Sequence, residues 1–140
     1  SEIIMRMPLP KHFTTSLSFA ALTLAFAVSS PVQAADHNLA GKTRVLSAEN
    51  WLRAEEPQRA ADVYEALIED GKASPDLLAQ ALYWCGESYM RMADRKKPNF
   101  DPEAEKKAYI KFKKLTWEYP DSSWTKYARG RLATMKEPTS

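Results

Sequence analysis

The sequence predicts an all-α fold built from antiparallel helix hairpins, and three observations predict it. Small and large apolar residues recur at helical spacing in two adjacent blocks over residues 81–120, each with its own start and stop signals. Glycine is scarce, at 4 of 140 residues, and β-branched runs are rare. The chain has a single cysteine, so its core must hold without an intramolecular disulfide. Against that frame, 20 Lys and Arg face 18 Asp and Glu. A balance so close to zero leaves no footprint for nucleic acid, and none is expected as a partner. The length suits one small domain.

Residues 1–35 read as a secretory signal peptide with Met7 as the expected initiator. A basic start (Arg6, Lys11) precedes an apolar run over residues 17–28, then Ser29-Ser30-Pro31 and the small-residue cleavage pattern Val32-Gln33-Ala34. About a dozen apolar residues fall short of the roughly 20 that span a bilayer core. Export to the periplasm or beyond is therefore expected. The alternative is a membrane anchor through uncleaved residues 17–28, and only then is membrane contact expected from this segment.

Residues 36–46 are polar, contain Gly41 and read as a flexible lead-in to a helical domain over residues 47–136. From Ser47, a possible N-cap, a short helix carries Ala48, Trp51 and Leu52. Glu56-Pro57 starts a second helix with Pro in its first turn, the stripe Ala60, Ala61, Tyr64, Leu67 and Ile68, and Gly71 just past its end. Ser74-Pro75-Asp76 supplies an N-cap hydroxyl, a first-turn Pro and an acid near the positive helix end. That helix should run to about Ala93 and bury Leu78, Ala81, Leu82, Cys85 and Tyr89. Gly86 costs about 1 kcal/mol in a helix interior relative to Ala. A close helix approach is the expected reason. Asp101-Pro102 opens the next helix, ended by Pro120, and Asp121-Ser122 opens a last one carrying Trp124, Tyr127, Ala128, Leu132 and Met135. Residues 137–140 are expected to fray. The exported domain thus has about five helices.

Leu82, Cys85-Gly86 and Tyr89, followed by Ala108, Phe112, Leu115 and Pro120, fit the pattern of the tetratricopeptide repeat. Ala60, Tyr64 and Leu67 match part of an earlier, degenerate unit. The segment Ala81-Leu82-Tyr83-Trp84-Cys85-Gly86-Glu87-Ser88-Tyr89 and the Tyr119-Pro120-Asp121-Ser122 turn resemble periplasmic members of that family. Among these are the Tol–Pal-associated cell-division coordinator and the outer-membrane assembly lipoprotein of the same repeat type. The resemblance implies an α-solenoid without catalysis or cofactor, which holds a peptide or helix of an envelope protein in a groove. Carried over residue by residue, the groove positions are Gln80, Tyr83, Glu87, Met90 and Arg91. They fall off the Leu82/Cys85/Tyr89 stripe onto one adjacent face, which is also where ordinary solvated or helix-packing residues would fall. Tyr83, Glu87 and Arg91 lead the expectation: Tyr for rigid contact area, Glu and Arg for polarity and register.

Departures from the repeat draw attention as well. Residues 94–101 lengthen the connection inside the good repeat by about ten residues over the ~34-residue period. Their Lys96, Lys97 and Phe100 form either an added contact beside the groove or a tolerated insertion. The helix before Pro120 carries Lys106, Ile110, Lys113, Lys114 and Trp117 opposite its buried side. That pattern suggests a second contact face for an acidic patch or anionic membrane, unless Trp117 packs on a neighbouring helix end. Acidic Asp62, Glu65, Glu69 and Asp70 stand against basic Lys106, Lys107, Lys111, Lys113 and Lys114, which makes oligomerisation by head-to-tail contact possible. Cys85 finds no histidine within the helical domain, since His12 and His37 precede it. The same shortage gives no metal site, and no Gly-rich phosphate loop is present. No enzyme is expected. The two readings carried forward are a protein-interaction module and a structural accessory subunit of a larger envelope complex.

Overall fold

The computed structural model describes residues 30–139, and the chain from Val32 onward forms one compact unit. The apolar stretch 17–28, its basic start and Met7 lie outside the described residues. Five helices follow in order: α1 (Pro31–Arg53), α2 (Pro57–Asp70), α3 (Pro75–Arg91), α4 (Ala104–Glu118) and α5 (Ser123–Leu132). The fold is all-α, and no strand occurs among the described residues.

The largest departure from expectation is α1. Instead of a flexible lead-in over residues 36–46 and a short helix from Ser47, one helix of 23 residues runs from Pro31 to Arg53. Its buried positions, Gly41, Val45, Ala48 and Leu52, recur at i, i+4, i+7 and i+11 and make one continuous stripe. The stripe is faint in sequence because its first member has no side chain. Gly41 gives closeness rather than flexibility: a Cβ there would stand 2.7 Å from Leu77 Cδ2 and 3.1 Å from Ala73 Cβ. Residues 31–36, which include the expected cleavage site, are exposed on the first turns.

The other helices form for the expected local reasons. Ser74 Oγ accepts from the Leu77 N–H at 3.3 Å at the start of α3, and Ser122 Oγ accepts from the Trp124 N–H at 3.2 Å at the start of α5. Gly71, at φ 66°, closes α2 by donating its N–H to the Leu67 carbonyl. The α1–α2 turn uses the same left-handed geometry at Glu55, a non-glycine residue at φ 60°. Asp101 Oδ1 accepts from the Glu103 N–H at 2.9 Å, and regular helix begins at Ala104 rather than at Pro102. α3 ends at Arg91, two residues before the expected Ala93.

The helices stack as two layers. α1, α3 and α5 run parallel to one another, and α2 and α4 form the second layer. Asn38 Oδ1 accepts from the Ser74 N–H at 3.4 Å across 36 residues of sequence, linking equivalent ends of α1 and α3. Glu87 and Arg131 link α3 to α5 across 44 residues. The inserted loop 92–103 accounts for the longer second step. Its chain is tied down by the Asp101 N–H donating to the Met92 carbonyl at 2.8 Å.

The core between the layers contains Leu78, Ala81, Leu82, Cys85 and Tyr89 from α3, with Ala60, Ala61, Tyr64 and Leu67 from α2 and Ala104, Ala108, Phe112 and Leu115 from α4. The oppositely charged helices meet inside one chain, in the second layer. The Glu65 carboxylate of α2 takes both the Lys111 ammonium of α4 and, at 2.7 Å, the Tyr89 hydroxyl of α3. Asp70 is likewise shared between Arg44 and Lys72 at 3.9 Å. Part of the charge that suggested head-to-tail association is therefore used internally.

Gly86 sits where the expectation placed it: a Cβ there would lie 2.5 Å from Phe112 Cε1 and 2.7 Å from Cζ. The ring is fully buried and has no room to retreat. Gly86→Ala should therefore destabilise by about 2 kcal/mol in denaturant unfolding, because overpacking outweighs the gain of about 1 kcal/mol in helix propensity. A neutral or stabilised variant would mean that α3 and α4 do not approach as described.

Candidate binding groove

The free face of the α1–α3–α5 layer carries the candidate site. A cavity of about 520 Å³ opens between α1 and α3, with Lys42, Leu46 and Glu49 on one side and Asp76, Leu77 and Gln80 on the other. A second, of about 170 Å³, continues along the same two helices among Glu49, Leu52, Arg53, Trp84 and Arg91. Glu49 borders both, so the two make one groove along the helix pair. Gln80, Trp84 and Arg91 follow each other at i, i+4 and i+11 on α3, which puts all three on one stripe. Arg91 is anchored as it projects, because its Nη1 donates to the Leu52 carbonyl at the C-terminal end of α1 at 3.3 Å.

Two of the leading sequence candidates do other work. Tyr83 is the hub of an aromatic cluster that joins three helices. Its ring lies 5.8 Å from Phe112 of α4, and 5.6 Å from Trp124 and 5.9 Å from Tyr127 of α5. Glu87 is 9% exposed and makes a bidentate pair with Arg131, from Oε2 to Nε at 2.5 Å and from Oε1 to Nη2 at 2.6 Å. Burial pushes the Tyr83 phenol above its usual range, and the neighbouring Glu87 charge adds to that. The bond to Glu87 raises the Arg131 pKa further and holds its charge. Both residues thus fasten α5 to α3 along the groove's far border. Sequence pattern alone could not separate them from Gln80 and Arg91, since the four share one helical face.

The remaining candidates divide by location. Met90, Arg91 and Lys97 come together around a pocket of about 270 Å³, completed by Glu55, Pro57, Asp94 and Asn99. Lys97 is therefore brought beside the groove end, whereas Lys96 is exposed with its N–H bonded to Asp94 Oδ1. Phe100 lies half-buried under the Arg95 guanidinium, at 5.6 Å. Lys106, Ile110, Lys113, Lys114 and Trp117 all belong to α4 and face away from the groove. Trp117 is 78% exposed and Ile110 51%, so Trp117 does not pack on a neighbouring helix end. Sequence reasoning missed Trp84 and the α1 contributors Lys42, Leu46, Glu49 and Arg53. The signal for the latter was the i, i+4, i+7, i+11 stripe, broken for the eye by Gly41.

The Cys85 thiol is fully buried beside the Ala61 carbonyl, and burial raises its pKa, so it is not poised as a nucleophile. Burial and the hydrogen bond to Glu65 likewise raise that of Tyr89. Among the described residues no cluster of three or more His, Cys, Asp or Glu side chains could hold a metal ion. No helix among them is long and apolar enough to cross a membrane.

No protein-family model, curated protein or solved structure matches the chain.

The Glu87–Arg131 pair is half in solvent, with the Arg131 side chain 44% exposed. Glu87→Gln should therefore cost about 1–2 kcal/mol, between the values for exposed and buried pairs. Hydrogen exchange should show faster opening of α5 amides, with α2 and α3 protection changed only by the global loss. Unchanged α5 protection would show that the aromatic cluster holds the helix without the pair.

Proposed function

We propose that the chain is an exported, non-catalytic interaction module of the tetratricopeptide type, which binds an extended segment of a protein partner in the α1–α3 groove. The observation that carries this reading is the groove itself, formed by two parallel helices 36 residues apart in sequence. That step is close to the ~34-residue period of the repeat, and the wider second step follows the insertion. From Asp76 to Arg91 the groove follows α3 for about 22 Å. That length matches an extended peptide of roughly six or seven residues.

The chemistry of the lining indicates what such a segment presents. Trp84 and Leu46 offer apolar area near the middle. Lys42, Arg53 and Arg91 outnumber Glu49 and Asp76, so a mixed segment with an apolar anchor and a net negative charge fits best. Export is supported by the exposure of residues 31–36: cleavage there removes no core residue, since the buried stripe of α1 begins at Gly41. Periplasmic or secreted placement follows from that reading, with anchorage through residues 17–28 as its alternative.

A second reading, the structural accessory subunit, draws on a different feature. In the uncleaved chain Val32, Leu39 and Leu46 recur every seven residues along α1 and are 69%, 65% and 60% exposed. A partner helix lying along α1 would cover them.

Selection of random peptides on residues 32–140 tests the first reading. Enriched peptides should lose about tenfold in affinity on Leu46→Ser or Lys42→Glu, both exposed and safe for folding, and should be indifferent to Ile110→Ser. Enrichment insensitive to both groove variants would refute the groove. Mass spectrometry of the protein recovered from the cell envelope tests export separately. A mature N-terminus near Ala35 is expected, and an intact 17–28 stretch would mean an anchor.

A further inference from the structure

The outer face of α4 has no role in the groove reading, and its chemistry is specific. Ile110 and Trp117 are seven residues apart, so they lie on one line about 10.5 Å apart along the helix. Both point away from the buried side made by Ala104, Ala108, Phe112 and Leu115. Lysines flank that line on both sides: Lys106 and Lys113 on one, Lys107 and Lys114 on the other. Lys113 lies over the Trp117 ring, with Nζ 5.8 Å from its centroid. Lys107 shares its charge with Asp101 at 2.9 Å, and Lys114 with Glu118 at 3.8 Å. Lys106 and Lys113 make no ion pair among the described residues.

The surroundings extend the same charge. On α5, the next helix of the stack, Lys126 and Arg129 are exposed. The exposed acids Asp62 and Glu69 lie on α2, which meets α4 through the Glu65–Lys111 pair, and Glu103, Glu105, Glu118 and Asp121 are exposed on α4 and at its two ends. The outer face of α4 and its α5 neighbour is therefore basic on balance, six Lys and Arg (Lys106, Lys107, Lys113, Lys114, Lys126 and Arg129) against four exposed acids, with an indole standing out from it.

We propose that α4 docks on an anionic lipid bilayer, with Trp117 and Ile110 entering the headgroup region and the flanking lysines meeting lipid phosphates. Two features favour a bilayer over a folded partner. A protein surface needs a preformed cavity for a tryptophan as exposed as Trp117, whereas a fluid interface closes around it. Rows of lysine on both sides of an apolar line also match the in-plane arrangement of an interfacial helix, whose lysine stems reach back to the phosphates. The apolar area is small, so binding depends on anionic charge and is reversible. This docking face is opposite the α1–α3 groove, so a bound module keeps its groove open. The inference does not depend on what the groove holds.

The test uses residues 32–140, whose core lies wholly within that span and which exclude the apolar stretch 17–28. Co-sedimentation is measured with vesicles of equimolar phosphatidylglycerol and phosphatidylcholine, and with phosphatidylcholine alone. Binding is expected on the anionic vesicles only, with a partition coefficient that falls about tenfold or more for Trp117→Ala. Lys113→Glu together with Lys106→Glu should remove binding, and so should high salt. Leu46→Ser in the groove should leave it unchanged. Equal binding to both vesicle types, or wild-type binding by Trp117→Ala, would overturn the proposal. So would failure to bind either vesicle while an acidic helical peptide is captured through Trp117, which would assign the face to a protein partner.

Discussion

The contact on which the rest of the structure depends is the Phe112 ring lying against Gly86. α3 can come this close to α4 only because nothing projects from residue 86. The approach sets the spacing of the two layers, and the other helices adjust to it. Cys85, next to the glycine, faces Ala61 of α2, and Tyr83, three residues earlier, turns its ring toward α5. Gly41 repeats the device two helices earlier, where α1 closes on Leu77. The two glycines therefore mark where parallel and antiparallel neighbours meet α3, and both trade helix propensity for packing.

α3 is consequently the element that every other helix touches, and its polar residues are divided between two tasks. Tyr83 and Glu87 hold the last helix, which is only ten residues long and buries little beyond Thr125 and Ala128. A helix so short gains little from its own hydrogen bonds and needs tertiary contacts to persist. The aromatic cluster and the bidentate pair provide them. Gln80, Trp84 and Arg91, on the neighbouring line of the same helix, line the groove, and Trp84 also joins the cluster, edge-on to Tyr83 at 5.4 Å and to Trp124 at 6.3 Å.

The two faces of the stack differ in kind. One is concave between α1 and α3, mixed in charge, and sized for a peptide. The other is the outer side of α4, where exposed Ile110 and Trp117 stand among lysines. On the two proposals made above, the chain would hold a protein segment close to a lipid surface. Both surfaces sit on helices whose inner sides are fully packed, so neither needs a rearrangement to be available.

The sequence by itself determined the helices from Pro57 to Leu132. Their start signals at Ser74 and Ser122, the stop at Gly71, and the 3.6-residue periodicity of Ala81, Cys85, Tyr89, Ala108, Phe112 and Leu115 are local properties of the chain. It also isolated the face containing Tyr83, Glu87 and Arg91, and the odd pairing of Ile110 with Trp117. Only the tertiary structure decided that residues 36–46 are helical, because the stripe through Gly41 has no hydrophobic signal until Leu77 is seen beside it. Only the tertiary structure separated Tyr83 and Glu87 from Gln80 and Arg91, since the partners that claim the first two, Trp124, Tyr127 and Arg131, lie about 40 residues away. Sequence periodicity reports which side of a helix a residue is on, whereas what stands opposite that side is a property of the packed chain.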